Sequence, residues 1–177
     1  LRAFEDCTSL TSVTIPDSVI SIGYDAFENT AWYDNQPAGV VYAGKVLYEY
    51  KGEMPQNTTI TVKDGTKGIG DCAFYNCSGL KNITISDSVK TLGEYAFKGC
   101  TSLKEITIPN NITKINTRMF NGCESLEKIN IPDSVTEIRI SAFLNCKNLK
   151  EINIPNGVIY IGDWAFKDCT SLEEINM

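Results

Sequence analysis

The sequence predicts a repeat solenoid, and three recurrences predict that class. Ala-Phe appears at Ala3-Phe4, Ala26-Phe27, Ala73-Phe74, Ala96-Phe97, Ala142-Phe143 and Ala165-Phe166, and Met119-Phe120 fills one more slot. The spacings are 23, 47, 23, 23, 23 and 23, and all seven phenylalanines fall on this one position. Six of the seven cysteines (Cys7, Cys77, Cys100, Cys123, Cys146 and Cys169) follow a Phe by three residues, and a Leu follows each of them by three more. A fixed period of this size marks a unit that cannot bury its own apolar side and does so by stacking on its neighbours. Seven or eight coils at about 4.8 Å each give a slab on the order of 35–40 Å long, with the Phe rings stacked into a spine.

One unit, Ala96 to Arg118, reads A-F-K-G-C-T-S-L-K-E-I-T-I-P-N-N-I-T-K-I-N-T-R. The A-F-x-x-C-x-x-L stretch has apolar residues at helical intervals and is expected to form short helical turns on the convex side, with room for no more than about two turns. Leu103, Ile106 and Ile108 follow as L-x-x-I-x-I, with the two isoleucines alternating with polar residues as a half-buried strand does. Pro109 lacks a donor and ends that strand, and Asn110 and Asn111 form a turn. Ile112 and Ile115 bury a second, shorter extended segment. The glycines at Gly23, Gly70, Gly93 and Gly162 suit a sharp bend.

The double spacing hides an insertion over residues 31–59. The register resumes at Ile60 and Val62, while the expected Cys and Leu slots before them hold Met54 and Asn57. Gly39 to Tyr50 reads as two β-rich runs around Ala43-Gly44, a hairpin. Trp32, Tyr33, Tyr42, Tyr48 and Tyr50 are five of the ten Trp and Tyr residues of the chain. Two readings of them stand: an interaction patch on a loop carried by a rigid scaffold, or rings that cover the gap left by a missing repeat. Their exposure separates the two.

The polar residues between the buried strand positions form two columns. One reads Thr14, Thr61, Thr84, Thr107, Asn130, Asn153 and Asn176, and the other Ser12, Thr59, Asn82, Glu105, Lys128, Glu151 and Glu174. Glu105, Lys128, Asn130, Glu151 and Asn153 are the candidate contact residues of this face. The alternative is a solvated ladder of hydrogen-bonding side chains. Neither column holds an aromatic ring, so neither offers a platform for stacking sugars. The six registered cysteines are expected to be buried, reduced thiols. Cys72 is expected to be the most accessible thiol, because its slot elsewhere holds Asp25, Tyr95, Arg118, Ser141 and Trp164.

At this point the chain resembles a leucine-rich repeat protein, and its A-F-x-x-C-x-x-L-x-x-I-x-I-P unit resembles the BspA-like (Treponema pallidum type) subclass. It departs from the commonest variant in the slot after the strand. Ser18, Ser88, Asn111, Ser134 and Gly157 stand there in place of a regular Asn or Cys, so no asparagine ladder is expected at that slot. The resemblance implies a leucine-rich repeat horseshoe with a concave parallel β-sheet, and with short second strands on the convex side. It also implies a secreted or cell-surface protein of a host-associated microbe that adheres to host extracellular matrix or bacterial surfaces.

Composition excludes several other classes. The net charge is −6 with no run of Lys or Arg, so no nucleic-acid face is expected. There is no histidine, hence no His-based triad or His zinc site. One thiol per coil cannot converge on a metal, so neither a metal nor a cofactor is expected. No apolar run is long enough for membrane insertion. No nucleophile elbow or phosphate-binding loop appears, and the expectation is a non-enzyme. The sequons at Asn57, Asn76, Asn82 and Asn111 are read as by-products of an Asn/Thr/Ser-rich repeat. The chain begins and ends inside a repeat, and is expected to be a single repeat domain from a longer protein. Its open strand edges would permit end-to-end self-association.

Overall fold

The computed structural model describes residues 1–177 and shows a parallel β-solenoid. Six turns carry strands. The longer strands are β3 (Thr58–Thr61), β5 (Leu80–Thr84), β7 (Glu105–Thr107), β9 (Lys128–Asn130), β11 (Glu151–Asn153) and β13 (Glu174–Asn176). They pair in parallel as β3–β5, β7–β9 and β11–β13, with β5 lying against β7 and β9 against β11. A second lane holds β4 (Gly68–Ile69), β6 (Thr91–Leu92), β8 (Lys114–Ile115), β10 (Glu137–Ile138) and β12 (Tyr160–Ile161). β7, β9 and β11 are apolar inward and polar outward, as the alternation predicts: Ile106, Ile129 and Ile152 are buried between exposed neighbours.

The Phe spine forms, but it is broken. Phe74, Phe97, Phe120, Phe143 and Phe166 stack with centroids 5.2–5.6 Å apart and planes within 11°. Phe4 and Phe27 form a separate stacked pair at 5.4 Å. The core divides at the same place, into clusters of 33 and 7 buried residues.

The convex helical turns expected from the A-F-x-x-C pattern do not form. The helix is confined to α1 (Ala31–Asp34), inside the insertion, and every A-F stretch is a chain of turns. Left-handed residues explain this. The position two before each Phe (Arg2, Asp25, Cys72, Tyr95, Arg118, Ser141, Trp164) has φ between 53° and 59°. The position two after it is left-handed as well, and there the residues are Asn, Asp or Gly. These kinks aim backbone N–H groups along the stack. Cys72 N–H donates to Glu94 O, Tyr95 to Thr117 O, and Phe74 to Ala96 O, at 2.8–3.0 Å. A helix would keep those donors to itself.

Gly23, Gly70, Gly93 and Gly162 do not bend the chain, since none has a positive φ. They permit close approach between coils. A Cβ on Gly93 would overlap the backbone of Gly70 and Asp71, and one on Gly162 would overlap Ile140.

The insertion is a hairpin, β1 (Gly39–Ala43) against β2 (Val46–Lys51), antiparallel with a bulge between Val41 and Tyr42. Gly44, the first loop residue, has φ +59°, the requirement of a II′ turn. β2 then joins the short-strand lane in parallel with β4, so the second half of the insertion is itself a coil. The first long strand, expected around Ser12–Ile15, does not form. After the next Phe the chain forms α1 in place of a long strand, and Trp32 N–H at its start donates to Leu10 O at 2.6 Å. The segment Ile20–Ile22 lies instead across Gly68, Gly70 and Thr91. Thr91 Oγ1 donates to Ile20 O, and Asp71 N–H donates to Ile22 O at 3.1 Å. A Cβ on Gly68 would overlap the Ile20 carbonyl, which is why Gly stands there while the neighbouring coils carry Thr91, Lys114, Glu137 and Tyr160. No helix is long and apolar enough to cross a membrane.

Candidate functional site

Of the five aromatic residues of the insertion, Tyr48 is buried and Trp32, Tyr33, Tyr42 and Tyr50 are half-buried, at the joint between the two parts of the core. Tyr48 is the centre of the joint. Its ring meets Phe27 edge-on at 5.4 Å and Tyr33 at 5.8 Å, and its hydroxyl accepts the Phe27 N–H at 3.2 Å. In regular coils that N–H donates to the carbonyl before the next Phe, so Tyr48 stands in for a missing coil. Trp32 packs edge-on against Phe27 at 4.7 Å. Tyr50 takes the backbone slot of a Phe, its N–H donating to Ala73 O at 2.8 Å. Tyr42 accepts from Lys63 N–H at 3.0 Å, and the Lys63 ammonium lies 4.4 Å from its ring centroid. Thr30 occupies the Cys slot and caps α1, accepting from Tyr33 N–H at 3.1 Å. Lys51 donates to the Tyr33, Asp34 and Gln36 carbonyls at the other end of the helix.

Glu105, Lys128, Asn130, Glu151 and Asn153 all stand exposed on one strand face, as the alternation predicts. Glu105 pairs across from Lys128 and Thr107 from Asn130. Asn176 Nδ2 donates to Asn153 Oδ1 at 2.9 Å, the ladder expected of this column. Flanking ion pairs run along the stack, Lys104 with Glu127 at 3.3 Å and Lys147 with Glu124 at 2.7 Å. All are exposed, so each contributes little to stability.

A concave site does exist, and it lies elsewhere. From Leu47 to Tyr50 the irregular coil takes three steps where the next coil takes five, Ile69 to Phe74. It therefore has no left-handed turn to fill the layer between the turn of Asp25 and the turn of Cys72. A cleft of two adjoining lobes, about 390 and 190 Å³, occupies that place. Tyr48 and Glu49 line the smaller lobe. Tyr24 and Tyr75 line both lobes, and Tyr95, Glu94 and Lys98 continue the wall of the larger, with Leu1 at one lip. Lys98 Nζ lies 4.9 Å from the Tyr75 centroid and 5.7 Å from that of Tyr95. Asp71 Oδ1 accepts Glu94 N–H at 2.9 Å, which fixes its carboxylate. Burial raises the Glu49 carboxyl above its ordinary range, against the opposing hydrogen bond of the Tyr33 hydroxyl. The fold thus favours the protonated form of Glu49, and its contribution to stability falls as pH rises through that raised value. Sequence reasoning looked for aromatic density and passed over these tyrosines. The available signal was their register: Tyr24, Tyr75 and Tyr95 stand three before, one after and two before a Phe, at slots of mixed chemistry that hold Asp71, Lys98 and Arg118 in other coils.

All seven cysteines are free, and four of them, Cys77, Cys100, Cys123 and Cys146, are buried. Cys169 is half-buried and Cys7, in the first coil of this chain, is exposed. Cys72 is also half-buried, so Cys7 and not Cys72 is the most accessible thiol. The Cys register has a polar reason as well as an apolar one. Cys100, Cys123, Cys146 and Cys169 each donate S–H to the Phe carbonyl of the preceding coil at 3.1–3.2 Å. Burial pushes the Cys77 and Cys123 thiols up to about 12, so both stay protonated at neutral pH, Cys123 as a donor. Cys72 is pushed up to about 12 by burial and by the charges of Asp71 and Asp25.

A family model described as the BspA type leucine rich repeat region matches residues 1–35 and 49–177, in six copies. The interval it leaves out contains β1 and the hairpin loop. The crystal structure of a leucine-rich repeat protein from Bacteroides ovatus is 32% identical with a TM-score of 0.68, over 75% of this chain and 36% of that one. A Treponema pallidum leucine-rich repeat protein is 31% identical with a TM-score of 0.68, over 73% of this chain and 62% of that one. A leucine-rich cell surface protein from Faecalibacterium prausnitzii is 28% identical with a TM-score of 0.57, over 94% of this chain and 47% of that one. The chain thus spans between 36% and 62% of the length of these relatives. No protein with a curated description matches it.

Proposed function

Because the chain belongs to the BspA-type leucine-rich repeat family, we propose that it is a non-catalytic, protein-binding module of a cell-surface or secreted protein. The observation that carries this reading is the strand face. Glu105, Lys128, Asn130, Glu151 and Asn153 are all exposed and held in register on consecutive coils. A rigid face with alternating charge suits electrostatic recognition of another protein. The description of the Faecalibacterium prausnitzii relative as a cell surface protein supports the location. The partners are proteins of host extracellular matrix or of bacterial surfaces. In this reading Trp32, Tyr33, Tyr42, Tyr48 and Tyr50 act on binding only by fixing the joint that the face is built on.

Binding of the purified chain to immobilised matrix proteins and to whole bacterial cells tests the reading. Saturable binding is expected, and the double variant Lys128→Glu/Glu151→Lys should weaken it about tenfold or more, with unfolding unchanged. Absence of saturable binding to either surface would favour the competing role, a spacer that holds other domains away from the cell.

A further inference from the structure

The cleft at the joint is independent of the strand face, and its chemistry is different. Its larger lobe, about 390 Å³, falls in the range of small-molecule sites. Tyr24 and Tyr75 are 40% and 44% exposed. Three tyrosine rings supply flat apolar faces. Asp71 and Glu94 supply acceptors, Lys98 supplies a donor, and the tyrosine hydroxyls supply both. A ligand that uses all of these carries apolar C–H faces and many hydroxyl groups. The ammonium of Lys98 beside Tyr75 and Tyr95 would repel a second cation, whereas Tyr75 keeps exposed ring surface for an uncharged ligand. Asp25 is paired with Arg2 at 3.4 Å, which leaves Asp71 and Glu94 as the acidic side chains of the larger lobe against Lys98, so an anionic ligand would be repelled. We propose that this cleft, walled by Tyr24, Tyr75 and Tyr95, is a binding site for a short uncharged saccharide. The stacking surface that the strand face lacks is present where the irregular coil omits its turn.

The test is a titration of the ¹⁵N-labelled chain with chitobiose, cellobiose and lactose, and with digalacturonate as the charged comparison. At least one of the three neutral disaccharides is expected to saturate below about 10 mM, shifting the amides of Tyr24, Asp71, Tyr75 and Tyr95. Digalacturonate should bind about tenfold more weakly or worse. Tyr75→Ala and Tyr95→Ala should each abolish the shifts, whereas Trp164→Ala, which removes an exposed ring beyond the cleft, should not. Tyr75→Phe keeps the ring and should retain most of the binding, which separates a lost stacking face from a disturbed fold. No saturation by any neutral disaccharide, shifts that map to another face, equal affinity for digalacturonate, or unchanged binding in both alanine variants would each overturn the proposal.

Discussion

From Ile60 to Asn176 each coil copies the one before it, and between Thr30 and Met54 the copy fails. In the copied region the recurring groups are satisfied one layer away: Phe on Phe, Cys S–H on a Phe carbonyl, turn N–H on turn carbonyl. At the joint the same needs are met by unlike residues. The Tyr48 hydroxyl replaces a carbonyl for Phe27, Thr30 replaces a Cys, and the Ile20 carbonyl rests on a glycine. Repetition gives order with one motif. The exception leaves a cleft. In a solenoid, the place where the period fails is therefore the place to look for a ligand.

The largest effect expected from breaking this contrast lies in the spine. Phe97 is fully buried with a stacked ring on each side, at 5.6 and 5.5 Å. Phe97→Ala should cost about 3–5 kcal/mol in urea unfolding. Phe4→Ala, at a ring 45% exposed with one stacked neighbour, should cost much less. A loss under about 1 kcal/mol at Phe97 would mean that the spine is not what holds the coils together.

The middle-sized effect tests the joint. Tyr48→Phe keeps the ring and removes the acceptor of a buried backbone N–H. An orphaned donor of that kind costs about 1–3 kcal/mol. Hydrogen exchange at the Phe27 amide should accelerate more than at the Phe97 amide, whose carbonyl partner is untouched. Equal exchange at both sites would mean that Tyr48 only fills space.

These two sites also mark what the sequence could and could not reveal. The spine, the Leu and Ile registers, the two strand lanes and the hairpin are legible because each slot repeats one chemical type at one spacing. The second left-handed slot is legible for the same reason, holding Asp6, Asn29, Asn76, Gly99, Gly122, Asn145 and Asp168. The first left-handed slot is not. Arg2, Asp25, Cys72, Tyr95, Arg118, Ser141 and Trp164 share no chemistry, and the slot reads as tolerant when it is in fact constrained in backbone. The joint is illegible because its contacts, such as Tyr48 with Phe27 and Ile20 with Gly68, have no second example along the chain to set a register. The cleft follows from two residues missing in a segment whose overall length is greater than two periods. Counting alone conceals that.

The smallest effect has the opposite sign and comes from within the copied region. Ser141 sits in the first left-handed slot with φ 56°, fully buried, and its hydroxyl has no hydrogen-bond partner. It therefore carries two costs, backbone strain and an unsatisfied buried polar group, each of order 1 kcal/mol. Ser141→Gly removes both and adds back the larger chain entropy that glycine has when unfolded, about 0.5–1 kcal/mol. A net gain of about 1 kcal/mol in urea unfolding is expected. Ser141→Ala removes the hydroxyl but keeps the strain, and should gain less than the glycine variant. If alanine matches or exceeds glycine, the left-handed turn is not strained at this slot. The neighbouring coils would then tolerate Tyr95 and Trp164 because their inter-coil N–H bonds fully offset the conformation, which would make hydrogen bonding along the stack, and not residue choice, the device that holds every copied turn in shape.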